Sequence, residues 1–301
     1  MKKIVITGGA GFIGSHIADA LIEKGYEVHV VDNLSAGKKE NVNSKAILHV
    51  ADIRNGMEML KIFEGAEYVF HEAAFPRVQY SIENPVETHD INVNGTLNVL
   101  EAARLSGAKK VIFASSCAVY GNPTKLPVDE TGEISPMSPY AVHKWMGEKY
   151  CRMYSDLYGL KTVCLRYFNV YGPRMDPEGA YPMAIGNFIK MRKIGKPLPI
   201  TGDGTQTRDF VNVKDVVKAN LLALESDKIE KGEVVNIGSG VKTSVNRLAE
   251  LIGGPVERIS ARHEPHDVQS DVSLAEKLLS WKASVVIEEG LAELKKENSI
   301  A

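Results

Sequence analysis

A short apolar run and the glycine-rich loop behind it constrain the fold of this chain more than any other stretch. Ile4–Thr7 is apolar and β-branched, which predicts a buried parallel strand, and Gly8–Gly14 follows it directly. An amphipathic stretch then runs to Leu21–Ile22 and closes at Gly25. Glu27–Asp32 predicts a second strand that ends in an acid. This βαβ unit predicts an α/β fold with a parallel sheet.

The same unit predicts a dinucleotide site. Gly8 permits a tight turn, Gly11 lets the backbone approach a pyrophosphate, and Gly14 allows the helix to pack closely on the strand. The helix N-terminus adds amide donors and partial positive charge for the phosphates. Asp32 stands at the spacing of an acid that accepts a hydrogen bond from the adenosine ribose. Because a carboxylate there repels a 2′-phosphate, we expect NAD rather than NADP.

The alternation of strands and helices continues beyond this unit. Further strands are predicted at 46–50, 67–70, 109–114, 161–166 and 233–237. After Arg166 the pattern loosens into turn-rich segments. His71 follows a predicted strand and is interpreted as a structural histidine. Asn92 could face the site or tie two backbone segments together.

Tyr140 and Lys144 lie four residues apart, directly after Ser138–Pro139. Serine is a favoured N-cap and proline suits the first helical position, so we expect a helix that carries both side chains on one face. A nearby fixed positive charge favours the ionised phenol, whose ordinary pKa is about 10, so the pair is a candidate base. An isolated pair of this kind is more often a surface contact. Here Ser115–Ser116 ends a predicted strand, at the edge where open α/β sheets place ligands.

Composition and charge exclude several classes of protein. The 301 residues are 44% hydrophobic and 25% charged, which excludes a largely disordered chain, and the net charge of -2 does not indicate nucleic-acid binding. Three cysteines without a CxxC spacing fit a reducing cytoplasm. The first apolar run is too short for a signal peptide or membrane span, so we expect a cytoplasmic protein without membrane contact. His263, Glu264 and His266 lack a partner cluster, so we expect no metal site.

Taken together, these motifs resemble the extended short-chain dehydrogenase/reductase family, and within it the UDP-glucose (UDP-galactose) 4-epimerase family of NAD-dependent nucleotide-sugar epimerases. The strings that carry the resemblance span nearly the whole chain. They are TGGAGFIGSH from Thr7, VDNLSAG from Val31, ADI from Ala51, HEAA from His71, NVNGT from Asn92, FASSCAVYG from Phe113, PYAVHK from Pro139, RYFNVYGPR from Arg166 and GDGTQTRDF from Gly202.

The resemblance implies a Rossmann-type doubly wound parallel sheet with a smaller C-terminal α/β substrate domain. The NAD-binding domain would span 1–166. The substrate-binding domain would take mainly 167–301, with segments around 210–240 returning to the first domain. The resemblance also implies a homodimer, formed through the helices that contain Asn92 and Tyr140.

By this resemblance Ser116, Tyr140 and Lys144 form the catalytic set of a UDP-sugar 4-epimerase, an isomerase. Tyr140 would take the proton of the sugar 4-hydroxyl as a general base, while Ser116 donates or relays a hydrogen bond at the same oxygen. NAD would accept the C4 hydride, giving a 4-keto sugar that rotates and takes the hydride back on its other face. We expect UDP-glucose and UDP-galactose as substrates, with UDP-GlcNAc and UDP-GalNAc as an open extension.

The resemblance also implies the binding residues. For NAD these are Gly8, Gly11, Phe12, Ile13, Gly14, Asp32, Asn33, Leu34, Ser35, Gly37, Asp52, Ile53, Ala73, Ala74, Asn92, Ser115, Tyr140, Lys144 and Phe168. For the UDP-sugar they are Val78, Ser116, Tyr140, Asn169, Arg208, Arg262 and Ser270. Arg208 suits a diphosphate because a guanidinium can grip its oxygens.

Departures from related enzymes bear on the substrate. Related 4,6-dehydratases and UDP-glucuronate decarboxylases carry an acid where this chain has Ala118. UDP-glucuronate 4-epimerases tend to carry an arginine where Gln79 aligns. The usual Arg-Pro-Gly-Asp-Val signature is replaced by the irregular run from Glu264 to Val268. Ser270 is therefore the best candidate for the gate of the sugar pocket, and its small side chain would leave room for an N-acetyl group.

Two alternatives stay open. The first is another nucleotide-sugar enzyme of the same group, namely a UDP-glucuronate decarboxylase, a UDP-glucuronate epimerase or a reductase. The second is an NAD-sensing binding protein on the same fold. Such a protein would have little use for Ser116, Tyr140 and Lys144 together.

Overall fold

A computed structural model describes residues 1–175, 184–260 and 265–300. The strands are β1 Lys3–Thr7, β2 Glu27–Asp32, β3 Ile47–Val50, β4 Tyr68–His71, β5 Lys110–Ser116, β6 Lys161–Tyr167, β7 Val170–Tyr171, β8 Leu198–Thr201, β9 Thr207–Asp209, β10 Val211–Asn212, β11 Lys231–Ile237, β12 Lys242–Ser244 and β13 Val256–Ile259. The helices are α1 Phe12–Glu23, α2 Gly56–Phe63, α3 Val78–Glu83, α4 Pro85–His89, α5 Gly95–Leu105, α6 Pro139–Tyr158, α7 Ala184–Lys193, α8 Val213–Glu225, α9 Val245–Ile252, α10 Ser273–Leu279 and α11 Ile287–Glu297.

A seven-stranded parallel sheet organises the described residues. Its strand order is β11-β6-β5-β4-β1-β2-β3. The chain moves outward from β1 through β2 to β3 and then returns to place β4 on the other side of β1, so the order reverses between β1 and β4. In open α/β sheets, ligands bind outside the carboxyl ends of the strands at such a switch point. The doubly wound α/β fold predicted from the sequence is confirmed.

Alternate residues of the strands feed two cores on the two faces of the sheet. Ile4 and Ile6 of β1 pack with α1 and α8 on one face, whereas Val5 packs on the other face against residues of α2, α5 and α6. Neighbouring residues on a strand point to opposite faces of the sheet. Because both faces are buried, the strands are continuous apolar runs. Both faces are covered, so the polar site is left at the strand ends.

The later part of the chain divides between this sheet and a separate core. β11 pairs with β6 at the outer edge of the large sheet, and Val216 and Ala219 of α8 pack beside α1. A third core joins α7, α9 and α11 to β8, with Phe188 and Leu248 buried at its centre. The division into two domains stays a prediction.

Smaller two-stranded pairings join later segments: β7 with β10, β8 with β13, and β9 with β12. The β9–β12 pair is antiparallel and sets Arg208 opposite Thr243. Across the described ranges, the helices are too short or too polar to traverse a bilayer.

Candidate active site

The glycine loop forms a turn with no room for side chains. Gly8 has a φ of 71°, in the region that favours glycine, and a Cβ added there would lie 2.7 Å from the backbone nitrogen of Ala73. The Gly8 carbonyl accepts from the Gly11 amide at 3.0 Å. Gly11 is the N-cap of α1 and has no side chain to satisfy the first-turn amides. This bare helix N-terminus beside a side-chain-free turn fits the pyrophosphate of a dinucleotide.

Asp32 holds the glycine loop from the end of β2. Its carboxylate accepts from the Ala10 amide at 3.0 Å and from the Leu34 amide at 2.9 Å. A Cβ at Gly37 would lie 2.7 Å from the Asp32 carboxylate, so Gly37 leaves the space that the acid fills. Burial raises the pKa of Asp32, while the two amides oppose the shift. Phe12 and Ile13, which were predicted to contact NAD, form the first residues of α1.

The loop behind β2 is joined to the end of β3. The Asn33 side-chain amide donates to Asp52 at 3.0 Å, and the Ser35 amide donates to Asn33. Arg54 pairs with Asp52 at 2.7 Å and holds the pKa of Asp52 down to about 2. Ile53 is buried against Gly95. The residues of this set that were predicted to bind NAD therefore lie near one another behind β2 and β3.

His71 and Asn92 both support the end of β4. The His71 ring bonds the hydroxyls of Thr7 at 2.7 Å and Thr96 at 2.9 Å, and burial lowers its pKa to about 3. These contacts agree with the structural interpretation of His71. The Asn92 side chain accepts from the amide of Phe75 and donates to its carbonyl. Asn92 thus fixes the backbone just after Ala73–Ala74, the second of the two roles left open for it.

Helix α6 carries Tyr140 and Lys144 as the sequence predicted. Ser138 caps the helix by accepting from the Ala141 amide, and Pro139 occupies the first turn. The Lys144 ammonium donates to the carbonyl of Ala114 at 2.7 Å, which ties α6 to β5 just before Ser115. The structure therefore brings the lysine to the strand that ends in Ser116.

Burial dominates the titration of the pair. It raises the pKa of Tyr140 to about 12, although a hydrogen bond with Ser116 lowers it, and it lowers the pKa of Lys144 to about 8. The sequence prediction that Lys144 favours the ionised phenol is not met by the protein groups alone, because withdrawal from water outweighs the charge. The structure does bring Ser116, Tyr140 and Lys144 together.

A buried ion pair that was not predicted from the sequence lies one helical turn after Lys144. Glu148 bonds Arg166 of β6 at 2.8 Å, and both side chains are 4% exposed. The Ser115 hydroxyl also donates to Glu148 at 2.5 Å. Glu148 therefore joins β5, β6 and α6 beneath the site. The four-residue spacing from Lys144 is the signal that could have found it.

Glu72 is a second acid that was not predicted as a site residue from the sequence. It follows β4 directly, within the HEAA string, and accepts a hydrogen bond from the Tyr167 hydroxyl at 3.0 Å. Burial raises the pKa of Glu72 to about 7, with Tyr167 and Lys144 opposing the shift. The available signal was an acid directly after a predicted strand, next to the small residues Ala73 and Ala74.

Residues predicted for the UDP-sugar gather around β9. The Asn169 side-chain amide donates to the Asp209 carbonyl at 3.0 Å, and Arg208 donates to the carbonyls of Thr207 and His266. Ser270 is buried, and its hydroxyl donates to the Asp209 carboxylate at 2.5 Å. The Ser270 hydroxyl is thus engaged in holding this segment, and its role as a gate stays a prediction.

Other predicted residues are placed less directly. Phe168 is buried beside Tyr120, and Val78 is exposed at the start of α3. Arg262, like His263 and Glu264 of the conceivable metal cluster, lies outside the described residues. Within the described ranges, His, Cys, Asp and Glu side chains form no group of three suited to a metal ion.

The chain is similar to known nucleotide-sugar enzymes along nearly its whole length. Residues 4–238 match the model of the NAD dependent epimerase/dehydratase family. The chain is 48% identical to a putative UDP-glucose 4-epimerase of Methanocaldococcus jannaschii, over 96% of this chain and 95% of that protein. A Thermotoga maritima UDP-glucose 4-epimerase structure with UDP-glucose is 40% identical and superposes with a TM-score of 0.92, covering 98% of this chain and 99% of that one.

Relatives of differing activity are also similar. A UDP-N-acetylglucosamine 4-epimerase structure from Methanobrevibacter ruminantium is 38% identical with a TM-score of 0.93, covering 98% of this chain and 97% of that one. Two relatives, 35% and 36% identical over 97% of this chain, are named a UDP-N-acetyl-alpha-D-glucosaminuronate decarboxylase of Bacillus cytotoxicus and a UDP-glucuronate 4-epimerase of Thermodesulfobacterium geofontis; the matches cover 96% and 94% of those proteins. On this match and the site geometry, the chain belongs to the NAD dependent epimerase/dehydratase family of nucleotide-sugar enzymes.

Proposed function

We propose that this protein is a UDP-sugar 4-epimerase that interconverts UDP-glucose and UDP-galactose. The observation that carries the proposal is the buried phenol of Tyr140, hydrogen-bonded to Ser116 and one helical turn from Lys144, at the carboxyl end of β5. A phenol, a hydroxyl and an ammonium in this arrangement suit reversible oxidation of a secondary alcohol. The similarity to UDP-glucose 4-epimerases of other organisms supports the same activity.

NAD would lie along the strand ends from β2 to β5. The glycine turn and the N-terminus of α1 would hold its pyrophosphate, Asp32 its adenosine ribose, and Lys144 its second ribose. When bound, NAD supplies the acceptor that takes the C4 hydride and later returns it. The turn that excludes a Cβ at Gly8 and the uncapped amides of α1 support this placement.

The side chains would move the proton of the sugar 4-hydroxyl. Tyr140 accepts that proton as the hydride leaves C4, and it gives the proton back when the hydride returns. Lys144 and the positive nicotinamide favour the ionised phenol and oppose the burial that raises its pKa to about 12. Ser116 donates to the same sugar oxygen and holds it in line with Tyr140.

Epimerisation requires a firmly held nucleotide and a sugar that can turn over. Asn169 bonds the carbonyl of Asp209, and Arg208 directly precedes Asp209 on β9; we propose that the two grip the diphosphate. Neither residue reaches the sugar in this scheme, so the hexose is free to present its other face. Ser270 is a small residue beside this region, and we propose that the pocket also accepts N-acetylated hexoses.

The nearest alternative is a decarboxylase of UDP-uronic acids. The position directly before Val119-Tyr120-Gly121 is occupied by Ala118, so the acid of the decarboxylase pattern is missing. This observation favours the epimerase. Because relatives named as a decarboxylase and as a uronate epimerase are also similar to this chain, the alternative is tested alongside the epimerase.

The function is tested by incubating the purified protein with UDP-galactose, UDP-GalNAc and UDP-glucuronate in separate tubes, without added cofactor. We expect chromatography to show the C4 epimer of UDP-galactose, with no carbon dioxide released and no NADH consumed. Conversion of UDP-GalNAc as well would support a small gate at Ser270. Release of carbon dioxide from a UDP-uronic acid, with no epimer formed, would contradict the proposal.

We further propose a homodimer through the face that contains α4, α5 and α6. Apolar side chains on α4 and α6 are exposed there, among them Val86, Leu157 and Tyr158. Gel filtration coupled to light scattering is expected to give twice the chain mass of 32.9 kDa. A monomer at micromolar concentration would contradict this assembly.

A further inference from the structure

Glu72 occupies the switch point of the sheet. Its amide donates to the Thr7 carbonyl at 3.1 Å, which fixes the residue between the ends of β1 and β4. A Cβ at Gly8 would lie 2.9 Å from the Glu72 carbonyl carbon, so the glycine turn packs directly on this backbone. A side chain projecting from this point stands beside the strand ends where the family's cofactor site is formed.

The Glu72 carboxylate accepts a hydrogen bond from a neutral donor. Across the described residues, its hydrogen bond comes from one neutral group, the hydroxyl of Tyr167. Asn220 of α8 in turn donates to that hydroxyl at 2.8 Å, and both Tyr167 and Asn220 are buried. A half-buried carboxylate with one hydroxyl donor is not stabilised as an anion in the way that an ion pair would stabilise it.

The charged and titratable groups around Glu72 come from two elements. Tyr140 and Lys144 face it from α6, and Tyr167 bonds it from β6. Its charge raises the pKa of Lys144 and of Tyr140, while burial raises its own pKa to about 7. Burial lowers the pKa of the neighbouring His71 to about 3.

We propose that Glu72 balances the charge of the cofactor site, being ionised while NAD is oxidised and protonated while it is reduced. This inference rests on the proposed function for its place in catalysis. An ionised carboxylate stabilises a positive nicotinamide, and that stabilisation disappears when the ring becomes neutral. A proton from solvent then settles on Glu72. The hydride carries two electrons from C4 to the ring, and the proton of the 4-hydroxyl goes to Tyr140, so the proton on Glu72 is additional to both.

The consequence is a pH-dependent preference between the two cofactor forms. Because the reduced form carries one more proton on Glu72, the ratio of bound NADH to bound NAD falls as the pH rises. The fall approaches about tenfold per pH unit where Glu72 titrates between its two states. Glu72→Gln removes this titrating group, so the ratio of bound NADH to bound NAD should fall less steeply with pH than in the wild type and should be higher at high pH. Any slope that remains comes from Tyr140, whose ionised form the positive nicotinamide also favours.

The experiment equilibrates the purified protein with mixed NAD and NADH from pH 6 to pH 9 and reads the bound ratio by absorbance at 340 nm. Tyr167→Phe should keep the slope but move it along the pH axis, because Glu72 remains and loses one donor. Glu67→Gln, at a partly exposed acid that pairs with Lys109 just before β4, is the matched control and should behave as the wild type. An equal slope in wild type and Glu72→Gln would overturn the inference.

This readout needs no sugar and separates the two proposals. A pH-dependent ratio whose slope Glu72→Gln reduces, in a protein that converts no UDP-hexose, would leave the role of Glu72 standing and contradict the epimerase. Epimerisation with equal slopes in the wild type and Glu72→Gln would do the reverse. Denaturant unfolding of Glu72→Gln at pH 7 shows whether the variant is folded, and Glu72→Asp should restore part of the slope if folding is retained.

Discussion

Asp32 and Asp209 are both buried aspartates that organise a binding loop, yet they are built over very different sequence distances. Asp32 accepts from Ala10 and Leu34, all within one βαβ unit. Asp209 accepts from the amides of Ser239, Gly240 and Ser270 and from the hydroxyls of Ser239 and Ser270, which lie 30 to 61 residues away. The cofactor side is encoded locally, whereas the substrate side is assembled from distant segments.

Because of this difference, mutations on the cofactor side and mutations on the substrate side should have separate effects. A change at Asp32 should disturb one loop and its cofactor, because its partners follow from the same motif. A change at Asp209 should release the segments at 238–240 and 270 together, along with the strand that carries Arg208. Tyr140 stands between the two sides, and its loss should leave both bindings intact.

Replacing Tyr140 by Phe is expected to have the largest effect. Without the hydroxyl that moves the proton, turnover should fall by about a thousandfold. The phenyl ring keeps the packing, so bound NAD and UDP affinity should be unchanged. Steady-state kinetics and the absorbance of bound cofactor check this, and a rate within tenfold of wild type would contradict the role of Tyr140.

Replacing Asp209 by Ala is expected to lower the free energy of unfolding by about 3 kcal/mol, because it leaves several buried donors unpaired. Urea denaturation measures the loss. Asp203→Ala is the matched control: this exposed aspartate accepts from the amide and hydroxyl of Thr205, and its removal should cost much less. Equal losses of unfolding free energy in the two variants would show that Asp209 does not hold the distant segments together.

Arg208→Ala should sharpen the contrast between the two sides. Removing the guanidinium should weaken UDP binding by about tenfold or more, since hydrogen bonds to charged groups contribute about 1.5–3 kcal/mol. NAD binding should not change, because Arg208 belongs to the substrate side. Calorimetry with UDP measures the first, and a simultaneous loss of bound NAD would break the separation.

Asp32→Ser is expected to have the smallest effect, confined to the cofactor side. Removing the carboxylate relieves its repulsion of a 2′-phosphate, so the preference for NAD over NADP should fall by about tenfold. Unfolding stability should drop modestly, because serine can still accept one of the two amides. Competition between NAD and NADP measures the ratio. An unchanged preference would show that Asp32 does not face the ribose.

The sequence predicted those parts of the site that short motifs encode. The βαβ unit, the cap at Ser138 and the Tyr140–Lys144 pair all depend on neighbours within a few residues, and the structure has them as expected. Ser116 could be placed because a strand end fixes which edge it reaches.

Long-range partners could not be predicted in this way. The bond from Tyr167 to Glu72 spans 95 residues, and that from Ser270 to Asp209 spans 61. No local pattern ties such residues together, since their contact depends on how the strands are ordered in the sheet. The burial that raises the pKa of Tyr140 could not be predicted for a related reason, because burial is a property of the whole fold.

The most direct test of the central claim follows the hydrogen at C4 of the sugar. The purified protein is given UDP-galactose that carries deuterium at C4, in ordinary water and without added cofactor. Oxidation and return within one site predict that the UDP-glucose formed keeps its deuterium at C4, as read by mass spectrometry and NMR. Loss of the deuterium to solvent, or a requirement for added NADH, would contradict the account.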